Sequence, residues 1–175
     1  TEGWPSAVRL AQIFLSSPAD PALALDNLAG TDQDIASILN AKVLNGFTAA
    51  LKAFVLRLCQ LRDFDYSLAR IATEDPLTQG HLRYLCERNV FIIAIDGGQR
   101  HRLHNVFRGF LLDQARQDLA PAVRKQVLDR AADYCREDGR CADALDYALD
   151  GGNAALAADI LEQSSPVFVR DLGYH

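Results

Sequence analysis

The chain has no methionine among its 175 residues. It has no C-x-x-C pair and no run approaching ~18 consecutive apolar residues, so no transmembrane helix is expected. The start, Thr1-Glu2-Gly3-Trp4, lacks the basic and apolar regions of a signal peptide. Basic charge is also in deficit: 18 Lys and Arg stand against 23 Asp and Glu, for a net charge of -5. That balance argues against a general polyanion binder, because affinity for nucleic acid rests mostly on Lys and Arg neutralising phosphates. There is no P-loop, no HExxH and no G-x-S-x-G. Asp63 and Asp65, two apart in an expected loop, read as surface acids, so no catalytic residue is expected. The four cysteines, at 59, 86, 135 and 141, lack the close pairing of a zinc site. Cys59, Cys86 and Cys135 fall on apolar helix faces and read as reduced core thiols. No metal is expected, and the whole pattern fits a cytoplasmic protein.

What is present is a 49% hydrophobic chain, enough for one large domain or two small ones. Most of it has helical periodicity. Trp4 to Leu15 fits a helix with Pro5 in its first turn. Ser16 to Gly30 reads as a linker, with a turn of helix near residues 22–28. Asp34 to Phe47 repeats apolar residues at helical spacing. Thr48 is a plausible N-cap for a helix carrying Leu51, Phe54, Val55, Leu58 and Cys59 on one face. Ser67 to Ala72 reads as a short helix. After Asp75-Pro76, Thr78 is expected to cap a helix running to Arg88, with Leu82, Leu85 and Cys86 inward.

The stretch that follows breaks the pattern. Val90 to Ile95 is a continuous apolar run, rich in β-branched residues and too short for a typical helix. It reads as a strand buried on both sides. Asp96-Gly97-Gly98-Gln99 is a turn, since glycine tolerates positive φ. Arg100 to His104 returns as a strand, with Arg100, Arg102 and His104 on one face and His101 and Leu103 on the other. A helix from Asn105 to about Leu119 follows, with Val106, Phe107, Phe110 and Leu111 inward. Helix, strand, turn, strand is the layout of a winged helix, expected here over residues 31–117.

Beyond it the chain is all helix. Pro121 starts a helix lined by Val123, Val127, Leu128, Ala131, Tyr134 and Cys135, and Gly139 ends it. Ala144, Leu145, Ala148 and Leu149 line a second, ended by Gly151-Gly152. Ala155, Ala158 and Leu161 line a third. Small residues at the contact faces with glycine between helices suggest tetratricopeptide-like hairpins over residues 118–175. About one and a half repeats are present, and such arrays are stabilised by their neighbours, so a longer solenoid is expected. The fold class is therefore mostly α: a winged helix followed by helical hairpins, preceded at 1–30 by the tail of a helical subdomain and a linker.

Several segments in order resemble the MalT-like LuxR-type regulators, signal-transducing NTPases of the STAND class. They are Thr1-Glu2-Gly3-Trp4-Pro5, Leu82-x-x-Leu85-x-x-x-Asn89-Val90-Phe91-Ile92-x-x-Ile95-Asp96, Arg102-Leu103-His104-Asn105-Val106-Phe107-Arg108, and Ala131-Ala132-x-Tyr134 with Gly139, Ala144 and Tyr147-Ala148-Leu149. The resemblance implies an excised piece of a larger ATP-dependent switch protein. An ATPase domain would precede it. A sensor array for a small-molecule or protein effector would follow, and then a DNA-binding domain. It also implies site residues for ATP or ADP in the intact parent: His104 facing the β-phosphate, and Trp4 and Pro5 near the adenine. From the residues alone, His104 reads as a helix cap or a partner of a backbone carbonyl, Pro5 as a first-turn proline and Trp4 as a packing anchor. The sequence departs from the family at Leu103, often aromatic there, and at Asn105, often a second histidine.

Two other readings stand beside this one. Arg83, Arg88, Arg100, His101 and Arg102 would form the DNA-facing surface of an autonomous winged-helix DNA binder, although Glu87 and Asp96 interrupt that patch. The third reading is a helical protein-interaction scaffold without a nucleotide role.

Overall fold

The computed structural model describes residues 43–87 and 91–171, with side chains described through residue 163. The chain divides into two compact units, Thr1–Phe47 and Thr48–His175. Of the first, only its last residues are described, where Leu44–Gly46 form a 3-10 turn. The helix expected over Asp34 to Phe47 therefore does not extend to Phe47. Its remainder, like the helix at Trp4 and the linker at Ser16, lies outside the described residues.

The second unit opens with α1 (Ala49–Leu58). Thr48 caps it as expected, its Oγ1 accepting from the Leu51 N–H at 3.2 Å. Helix α2 (Tyr66–Thr73) is capped by Asp65, whose Oδ1 accepts from the Leu68 N–H at 2.8 Å. Asp65 is thus a structural acid rather than an idle surface one. Helix α3 (Thr78–Glu87) begins differently from the expectation. Asp75 accepts from the Leu77 N–H at 2.7 Å, and the buried Thr78 hydroxyl donates back to the Asp75 carbonyl at 2.7 Å. Thr78 is the first helical residue, not the cap. Leu85 is buried, but Cys86 is exposed. α3 contacts α1 and α2 along a narrow strip, which leaves the Cys86 side outside it.

Strand β1 (Ile92–Ile95) pairs antiparallel with β2 (Arg100–Leu103) in the register Ile92↔Leu103 to Ile95↔Arg100. Val90 lies outside the described residues. β1 is not buried on both faces: Ala94 is exposed and its neighbours are half-buried. A two-stranded sheet leaves one face to solvent, and an apolar run alone cannot report that. The turn is where it was expected, with Asp96, Gly97 and Gly98 all at positive φ. β2 also has a second neighbour. Phe64 and His101 exchange backbone hydrogen bonds of 2.8 and 2.7 Å, so β2 runs between β1 and the Phe64 backbone.

Helix α4 (Asn105–Asp118) buries Phe107, Phe110, Leu111 and Ala115. Val106, expected inward, is 43% exposed: inward positions follow 107, 110, 111 and 115, and 106 is out of that phase. Helix α5 (Pro121–Glu137) starts on its proline and buries Val127, Leu128, Ala131, Ala132 and Cys135. Val123 and Tyr134 are only half-buried. Gly139, at φ 76°, ends it, with the Arg140 N–H returning to the Cys135 carbonyl.

Helix α6 (Cys141–Asp150) buries Ala144, Tyr147 and Ala148, while Leu149 is 59% exposed. Helix α7 (Ala154–Asp171) buries Ala157 and Ile160. The expected face of Ala155, Ala158 and Leu161 is turned outward, because α7 packs chiefly on α6 and its phase follows that contact. Asn153 sets the start of α7: its Oδ1 accepts from Leu156 N–H, and its Nδ2 donates to Asp129 of α5 at 2.9 Å. Gly151 sits so close to α5 that a Cβ there would lie 3.2 Å from Leu128 Cβ. Helix α2 packs on α5 and joins the winged helix to the hairpins. The molecule is mostly α among its described residues, a winged helix followed by helical hairpins.

Candidate functional site

His104 stands where β2 ends and α4 begins. Its N–H donates to the Phe91 carbonyl at 2.7 Å, closing the ladder one step beyond Ile92↔Leu103. Its own carbonyl accepts from the Arg108 N–H at 2.8 Å, the first turn of α4. Its side chain is the N-cap: Nδ1 accepts from the Val106 N–H at 3.3 Å. A ring accepting through Nδ1 carries its proton on Nε2 when neutral, so Nε2 is a donor. Aromatic rings pack behind the histidine. Phe91, at φ 53°, is pinned by its ring against Phe107, centroids 4.7 Å apart, and Phe107 continues to Phe110. Beside it, Arg102 Nη1 donates to Asn105 Oδ1 at 3.3 Å, so the departure at Asn105 supplies an acceptor next to the cap.

Trp4 and Pro5, the other two expected nucleotide contacts, lie outside the described residues. The cavity of about 650 Å³ lined by Arg70, Ile71, Glu74, Asp75, Pro76 and Arg130 contains none of the expected site residues.

Within the basic patch, Arg100 is neutralised by acids of the same chain. Arg100 is paired to Asp63, and it also reaches Asp96 at 3.5 Å and Asp143 at 4.0 Å. Burial alone would lower the Arg100 guanidinium; its hydrogen bond to Asp63 and the charges of Asp63, Asp143 and Asp96 override that and hold it above its usual value. His101 lies stacked over Phe64, with centroids 6.3 Å apart. Arg83 is exposed on α3. Arg88 lies outside the described residues.

Sequence reasoning placed Arg108 in a resembling segment but gave it no role. Its Nε donates to the carbonyls of Cys59 and Leu61, each at 3.0 Å, and its Nη2 reaches that of Gln60 at 3.5 Å. These are carbonyls the end of α1 leaves without helical partners, and a guanidinium satisfies them with the sign the helix dipole favours. Arg62 was missed. Its N–H donates to Tyr147 Oη at 3.1 Å, and its guanidinium pairs with Asp146 and Asp150. No local signal marks either residue, because the partners lie 47 to 88 positions away. Burial pushes the Tyr147 phenol up to about 12. It likewise pushes the thiols of Cys59 and Cys135 up to about 12 and about 11, so neither is a reactive thiolate. Among the described residues no group of three or more His, Cys, Asp or Glu is placed to hold a metal ion, and no helix is long and apolar enough to cross a membrane.

A two-stranded wing framed by helices, with a capped histidine at its exit and helical hairpins behind it, defines a winged-helix module continuing into a helical array. Residues 40–123 of the chain match the model of the MalT winged helix domain, which makes this stretch MalT-like. It is 27% identical over 164 residues to the serine/threonine-protein kinase PknK of Mycobacterium tuberculosis, covering 93% of this chain and 15% of that protein. It is 27% identical to the HTH-type transcriptional regulator MalT of Yersinia enterocolitica over 165 residues, covering 93% of this chain and 18% of that one. With MalT of Klebsiella pneumoniae the identity is 27% over 164 residues, 91% of this chain and 18% of the relative. The chain thus spans less than a fifth of the length of these relatives.

Proposed function

We propose that this chain is the coupling segment of an ATP-dependent LuxR-type transcriptional regulator of the STAND class. It holds the resting state and relays nucleotide and effector state to a DNA-binding domain elsewhere in the intact protein. In this reading residues 31–117 are the winged-helix domain, residues 118–175 open a tetratricopeptide-like array, and the partners are other domains of the same chain. The observation that supports it is the setting of His104. Its imidazole caps α4 through Nδ1, so the proton of the neutral ring is on Nε2, the polarity a phosphate oxygen requires. The N-terminus of α4, with a positive dipole end, lies beside it. ADP held by His104, with Trp4 and Pro5 near the base, would keep the wing docked. Exchange to ATP would remove the phosphate contact and shift the population toward release.

The test is His104→Ala in the intact protein. ADP dissociates faster and basal transcriptional activity rises. Unchanged ADP retention overturns the sensor role. The autonomous DNA-binding reading is weakened by the pairing of Arg100 with Asp63, Asp96 and Asp143. Anisotropy of generic duplex DNA at low salt separates the two: this chain leaves it unchanged, whereas tight, salt-sensitive binding would replace the coupling role with a DNA-reading one.

A further inference from the structure

Six consecutive residues between α1 and α2 are held by three other elements. Cys59, Gln60 and Leu61 present their carbonyls to the guanidinium of Arg108 on α4. Arg62 donates its N–H to Tyr147 Oη on α6, and its guanidinium pairs with Asp146 and Asp150 of the same helix. Asp63 pairs with Arg100 of β2, whose guanidinium also reaches Asp143 of α6. Phe64 is bridged in both directions to His101 of β2. Arg108 lies one helical turn from His104 and donates its N–H to the His104 carbonyl.

From this juxtaposition we infer that the segment Cys59–Phe64 is the coupling element of the molecule, a link through which the position of α4 and the wing is transmitted to α6. The chemistry suits that role. The contacts to Cys59–Leu61 are charge-assisted and made by one planar fork, so they are sensitive to small shifts of α4. The Arg62 backbone cannot follow such a shift without losing the Tyr147 hydroxyl. That hydroxyl sits on a ring that is itself only 3% exposed, so little water is at hand to replace the bond. Asp63 and Phe64 tie the same stretch to β2, so the wing and α4 act on it together. The link rests on the proposed function only for the direction in which a signal runs; its mechanical content concerns this chain alone.

Amide hydrogen exchange on the full chain tests it. Tyr147→Phe keeps the packed ring and deletes the acceptor of the Arg62 N–H. The amides of Phe64, His101 and Arg108, none of them on α6, then exchange about tenfold faster or more. The reference is Asn153→Ala, which loses the cap of α7 without touching the link and leaves those amides at the rate set by global stability. In the other direction, Arg108→Lys keeps the charge, loses the fork and accelerates exchange at Arg62, since coupling is reciprocal. If Tyr147→Phe and Asn153→Ala give the same pattern, or Arg108→Lys leaves Arg62 unchanged, the link is overturned. No nucleotide enters this measurement. A link that fails here leaves the His104 reading standing, and unchanged ADP retention in His104→Ala leaves the link standing.

Discussion

At the scale of single residues, the acids between α1 and α2 show what one side chain does that its neighbour does not. Asp63 and Asp65 look alike in sequence, two acids in a loop. Asp65 caps α2 through Leu68, and Asp63 neutralises Arg100 across the wing. The consequences differ. Asp65→Ala frees the first N–H groups of α2 and lowers stability by about 1 kcal/mol, measured as a shifted urea midpoint with unchanged slope. A cap is legible in a sequence when a helix start follows it, and Thr48 was read that way. Asp65 was missed because α2 was expected to begin at Ser67, one residue later than it does. Asp63, Arg62 and Arg108 were beyond reach for another reason: each acts on residues tens of positions away, and no periodicity encodes a non-local partner.

At the scale of elements, the order helix, strand, turn, strand, helix was readable because each signal is local. Positive φ at Gly97 and Gly98, the proline at 121 and the glycine at 139 are properties of short windows. Which face is buried is a property of neighbours. Val106, Leu149, Cys86 and the outward face of α7 were misassigned because they fall outside the faces that those helices turn to their neighbours. The phase of α4 offers a direct check. Phe107 is fully buried between Phe91 and Phe110, so Phe107→Ala costs about 3–5 kcal/mol in denaturant unfolding, cavity included. Val106→Ala, one residue away on the exposed side, stays within about 0.5 kcal/mol. A reversed order would mean that α4 is rotated from the position described. Of the site, the exit of the wing at His104 and its capping role were legible. The guanidinium clamp behind it was not.

At the scale of the whole molecule, three buried groups contribute a loss of stability at alkaline pH. Cys59, Cys135 and Tyr147 are all raised by burial, to about 12, about 11 and about 12. The unfolded chain releases these protons first, so it binds fewer protons than the folded chain as pH climbs, and stability falls with rising pH. The full contribution of the neutral groups is present below about pH 9, where the unfolded thiols begin to ionise. It is lost progressively as pH rises toward the folded values, between about 9 and 11 for Cys135, 9 and 12 for Cys59 and 10 and 12 for Tyr147. Thermal melts across this range show the decline, and Tyr147→Phe flattens its upper part. A slope of the same steepness in that variant would remove Tyr147 from the account. The segment Cys59–Phe64 also carries a consequence in chain entropy. Its contact with β2 closes a loop of 37 positions, and its contact with α6 one of 85. Closure cost grows only with the logarithm of length, so the longer loop is dearer by about 0.7 kcal/mol. Once the wing has closed on Asp63 and Phe64, most of even that difference is gone, because the path from the segment to Tyr147 then runs through His101. Docking of the wing therefore lowers the entropy cost of bringing α6 onto the segment, a contribution to stability that neither contact makes alone.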